Sequence, residues 1–89
     1  SEANYDKISL YYVTMLLIND QAEYMAGVGF DRQQALDLMA DLYQKANGIT
    51  STLPYVNDLK DEIKTSYDSF IANINAKYNE VEKRQQGGN

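Results

Sequence analysis

The sequence predicts an all-α fold, a three-helix bundle with a long C-terminal helix, and three observations predict it. Three stretches are free of Gly and Pro. The two breaks between them carry residues that end and start helices. Within each stretch the apolar residues recur at helical spacing. The expected helices cover about 4–26, 32–47 and 53–84, all in one domain over 1–84.

In the first stretch Ile8, Tyr11, Met15, Ile18, Ala22 and Met25 step by threes and fours, so they line one face of a helix. Its centre, Leu10 to Ile18, also has strand propensity. No other segment offers it a partner strand, and a lone strand leaves its backbone groups unpaired. Leu10, Tyr12, Val13, Leu16 and Leu17 add apolar surface outside the main stripe. A helix apolar nearly all round must be covered on more than one side.

Gly27 and Gly29 are suited to close this helix with positive φ. Asp31 then stands as the N-cap of the second helix, with Gln34 at capping-box spacing. The turn Val28-Gly29-Phe30 ahead of Asp31 and Ala35-Leu36 resembles the Met-Gly-Phe turn of ubiquitin-associated domains over that one turn only. The flanking helices are longer than that family's, and a Gly-hydrophobic turn before a capped helix is common, so it is read as coincidence. The second stripe is Ala35, Leu38, Met39, Leu42 and Ala46, with Arg32, Asp37, Asp41 and Lys45 away from it. Asn47-Gly48 is the expected stop.

Thr50, Ser51 and Thr52 supply N-cap oxygens ahead of Pro54, which belongs in a first turn, so the third helix is expected from about residue 53. Its apolar positions are Val56, Leu59, Ile63, Tyr67, Phe70, Ile74, Tyr78 and Val81. They follow an 11-residue repeat, which suits a straight or slightly right-handed helix on the order of 45 Å long. Glu80 with Arg84, and Asp61 with Lys64, are spaced to pair on its exposed side. Residues 85–89 read as a flexible tail.

Composition narrows the function. The 89 residues include no histidine and no cysteine, which removes the usual zinc ligands, thiol nucleophiles and the commonest general base. Asp37 with Asp41, and Asp58 with Asp61 and Glu62, lie on polar faces among lysines and read as solvated surface. No catalytic residue, cofactor or metal site is expected, and the chain is read as non-enzymatic. The net charge of −5 argues against direct binding of nucleic acid or anionic membranes. Most of the excess lies in residues 1–31, where Glu2, Asp6, Asp20, Glu23 and Asp31 face Lys7 alone. The longest apolar run, Leu10 to Ile18, falls short of the roughly 20 residues of a membrane span. Glu2 and Asp6 stand where a signal peptide would be basic, although a signal already removed leaves no trace. A cytoplasmic location is slightly favoured.

What remains is a surface for proteins. Eight tyrosines in so short a chain suit an interface as well as a core. The long third helix outreaches the second, so part of its stripe is expected to need cover from a second copy or a partner. The expected interface is Leu10, Tyr12, Val13, Leu16 and Leu17 on the first helix with Tyr67, Phe70, Ile74, Tyr78 and Val81 on the third. Self-association into a homo-oligomer through these helices is the leading expectation. The alternative is a small acidic inhibitor that binds a basic surface of a nucleic-acid-binding protein.

Overall fold

Among residues 2–87, which the computed structural model describes, the chain forms four helices and no strand. They are α1 (Glu2–Asp20), α2 (Ala22–Gly27), α3 (Arg32–Thr50) and α4 (Asn57–Gly87). They make an up-down-up bundle of 54 × 19 × 16 Å in which α2 continues the line of α1. Hydrogen bonds from Tyr12 to Ser66 and from Asn73 to Asn19 show that α1 and α4 run parallel in fixed register. α3 returns between them, with Arg32 beside Asn79 and Tyr43 stacked on Tyr67.

The first expected helix is interrupted once. Gln21 sits at φ −94°, ψ 5°, and its N–H is shared between the carbonyls of Leu17 at 3.0 Å and Ile18 at 3.1 Å. Neither Gly nor Pro causes this tighter turn. The buried residues Ile8, Met15 and Ala22 repeat every seven positions, and a straight helix lags about 20° per heptad behind such a repeat. A turn nearer three residues per revolution adds rotation in the sense that offsets the lag.

The link to α3 is built as its sequence suggests, with one refinement. Gly29, at φ 80°, is the glycine that takes the left-handed conformation, whereas Gly27 ends α2. The Phe30 N–H donates to the Met25 carbonyl and the Gly29 N–H to that of Ala26, the paired bonds of a Schellman cap. Asp31 then accepts the Gln34 N–H at 3.0 Å.

The link to α4 departs from expectation. Asn47-Gly48 does not stop α3, which runs on to Thr50. The hydroxyls expected to cap the following helix turn back instead: Thr50 and Ser51 donate to the Asn47 carbonyl, and Thr52 to that of Ile49. They satisfy carbonyls that a helix C-terminus leaves open. Pro54 lies in a turn closed by Val56 N–H to Leu53 O at 3.0 Å, so α4 starts at Asn57, later than expected. At its far end α4 continues past Arg84 through Gln85 and Gln86, which are good helix formers, to Gly87. The rest of the expected tail, 88–89, lies outside the described residues.

The core follows the stripes closely in α1, α2 and α4. Ile8, Met15, Ala22 and Ala26 meet Ala35, Met39, Leu42 and Ala46 of α3 and Ile63, Phe70, Ile74, Tyr78 and Val81 of α4. Met15, Met39, Ile63 and Ile74 are fully buried, and burial of each contributes about 1.5–3 kcal/mol. Leu38 is a correction: it is 44% exposed, and half-buried Leu36 packs against the core from the same helix. No buried side-chain nitrogen or oxygen among the described residues lacks a hydrogen-bond partner.

Candidate protein-binding face

The C-terminal half of the α4 stripe is covered within the chain, whereas Leu59 at its start lines an open groove. α2 carries the first helical line up to the level of Val81, so Phe70, Ile74, Tyr78 and Val81, expected at an interface, lie inside the chain's own core. Tyr67 is half-buried and stacks on Tyr43, with ring centroids 4.3 Å apart and planes 14° from parallel. Burial, then the charge of Asp68 and the phenol of Tyr43, hold the Tyr67 hydroxyl above its ordinary pKa.

The α1 half of the expected interface has the opposite fate. Leu10, Val13 and Leu17 are 63%, 49% and 57% exposed, and Leu16 is exposed beside them. Leu10, Val13 and Leu17 occupy the side of α1 away from the buried Ile8 and Met15, and Leu16 lies on the flank between that side and the core. This explains how a helix so apolar forms in a small bundle: one side is core and the other is left uncovered.

Beside this row lies a groove of about 760 Å³ between α1 and the first turns of α4. Tyr5, Ile8, Tyr12 and Val13 line it from α1, and Leu59, Ile63 and Ser66 from α4. Val13 belongs to both the groove and the exposed row. Tyr12, half-buried, shares a 3.3 Å hydrogen bond with Ser66 and packs at 6.2 Å against the Phe70 ring. Further along, the Asn73 amide donates to the Asn19 side chain at 2.8 Å and draws α1 onto α4. Tyr5 stands at the groove's outer end, where hydrogen bonding with Tyr55, then burial and the second phenol, raise its pKa above the ordinary value.

Asp61 and Glu62 also line the groove. This gives part of the acidic group of the sequence a place; no group of three or more His, Cys, Asp or Glu side chains arranged to hold a metal ion is found among the described residues. Asp41 pairs with Lys45 at 2.9 Å, and Asp37 accepts from Gln33 at 2.8 Å, as solvated faces do. The pairs expected on α4 are exchanged for others. Lys64 bonds Asp68, Glu80 bonds Lys77, and Arg84 reaches across to Glu23 on α2.

Arg32 is the residue whose role the spacing hid. Expected away from the core, it crosses to α4 and donates to Asn75 at 3.2 Å and Asn79 at 2.8 Å. It also pairs with Glu82 at 2.9 Å and lies 5.5 Å from the centre of the Tyr78 ring. The asparagines at Asn75 and Asn79, one turn apart, are the signal that could have pointed to it.

Among the described residues no helix is long and apolar enough to cross a membrane. Comparison with the models of known protein families, with curated proteins and with solved structures finds no match for this chain.

Proposed function

We propose that the chain is a non-enzymatic helical interaction module that receives a helix along the outer face of α1 and the groove beside it. The observation that carries this reading is the apolar, exposed surface of α1 formed by Leu10, Val13 and Leu17 on the side away from its own core and by Leu16 on the flank. A helix laid there would occupy the fourth position of a four-helix bundle, with Tyr5, Ile8, Leu59 and Ile63 offering it a recess. The absence of histidine and cysteine from the sequence supports a role in binding.

Self-association through α1 and α4, the form expected from sequence, keeps only the α1 row and the groove once Phe70, Ile74, Tyr78 and Val81 are assigned to the core. The acidic-inhibitor reading draws on carboxylates such as Asp61 and Glu62, which line the groove without an ion pair among the described residues.

The test uses a neutral amphipathic peptide of about 20 residues, leucines on one face and glutamines on the other. Saturable binding to the wild-type chain, weakened about tenfold or more by Val13→Glu with an unchanged thermal melt, supports the module. No binding, together with a monomer at every concentration in sedimentation, overturns it.

A further inference from the structure

We propose, resting on the reading above, that the helix received on this face belongs to a different protein. It carries lysine or arginine at both ends of its apolar side, most densely at the end seated over Tyr5.

The charges that frame the face carry the argument. Asp6 and Asp20 lie one on each side of Val13 along the same side of α1, about 21 Å apart. Asp61 and Glu62 add two carboxylates where the groove meets the Asp6 end. None of the four has an ion-pair partner among the described residues. Elsewhere Asp41 pairs with Lys45, Asp68 with Lys64, Glu80 with Lys77, Glu82 with Arg32 and Glu23 with Arg84, while Glu2, Asp31, Asp37 and Asp58 also lack an ion pair among the described residues. What distinguishes the four is their place around an exposed apolar row. The cations nearest the face do not serve it. Lys7 sits about 120° round α1 from Val13, Lys60 about 160° round α4 from Glu62, and Lys64 is taken by Asp68. An apolar row ringed by unmatched negative charge is complementary to an apolar row ringed by positive charge.

The same frame disfavours a second copy. Antiparallel pairing of two α1 helices centred on Val13 brings Asp6 of one opposite Asp20 of the other, and parallel pairing brings each acid opposite itself. Either arrangement sets like charges together with no cation of α1's outer face between them.

Three peptides with one leucine face and lysine, glutamine or glutamate flanks decide the matter, titrated against the whole chain. The lysine peptide is expected to bind about tenfold tighter than the neutral one, and the glutamate peptide more weakly still. The double variant D61K/E62K should cancel or invert that order. The variant D37K/D41K, with the same change in net charge on α3, should keep it. Thermal melts establish that both variants fold. Equal affinity for all three peptides overturns the charge assignment and leaves the module standing. Loss of the preference in D37K/D41K as well assigns it to overall charge and overturns the proposal. A concentration-dependent dimer dissolved by Val13→Glu gives the face to a second copy and overturns it too. Failure of every peptide, with a monomer throughout, removes the module reading itself.

Discussion

The Tyr78 hydroxyl donates a 2.8 Å hydrogen bond to the Phe30 carbonyl, tying α4 to the turn that reverses the chain between α2 and α3. The Tyr78 ring is 4% exposed, so the bond is made at the edge of the core. Tyr78→Phe keeps the ring and removes the donor. The expected loss is about 1 kcal/mol, measured as a lower urea midpoint with unchanged slope.

Arg32 fastens the same corner from the other side, bonding Asn75, Asn79 and Glu82 through one planar group. Lysine keeps the charge but cannot hold three acceptors in that plane. Arg32→Lys should therefore lower stability by about 1 kcal/mol, nearly as much as Arg32→Met. Equal stability of Arg32→Lys and wild type in urea would show that charge alone matters there.

Two glycines make opposite predictions. Gly29 holds φ 80° with open space around it, so Gly29→Ala pays only backbone strain and should destabilise by about 1 kcal/mol. Gly48 is helical, lacks positive φ and also faces open space, so Gly48→Ala should stabilise by about 0.5–1 kcal/mol. Thermal melts of both variants test where the chain truly turns.

Alkaline pH should weaken the fold. Tyr78 and Tyr67 are both raised above 10.0, chiefly by burial. The unfolded chain therefore releases these protons first, and between the unfolded and folded values it binds fewer protons than the folded one. Stability is then full below pH 10 and falls as pH rises through the folded values. Unfolding midpoints from pH 8 to above 10 should show this decline, and Tyr78→Phe together with Tyr67→Phe should flatten it.

The buried stripes were legible because burial follows helical spacing: Ile8, Met15 and Ala22, and Ile63 through Val81, fall where their steps of three and four place them. The Asp31 cap was legible because its partner, the Gln34 N–H, is local. What escaped was decided by choices between neighbours. Thr50, Ser51 and Thr52 had two helix ends within reach and served the earlier one. Gly48 tolerates a helix interior as well as a stop, and Gln21 carries no breaker at all. In the candidate face, spacing identified Leu10, Val13 and Leu17 as surplus to one stripe. It misassigned Phe70 to Val81 because the cover given by α2 depends on the bundle's register.

The central claim is that the outer face of α1 and the adjoining groove form one binding surface. Amide-shift mapping on adding the neutral amphipathic peptide tests it most directly. Shifts confined to Tyr5, Ser9, Val13, Leu16 and Leu17 on α1, and to Leu59, Glu62 and Ser66 on α4, are the result expected. A footprint on the exposed side of α3, around Asp37 and Asp41, or none at saturating peptide, would contradict it.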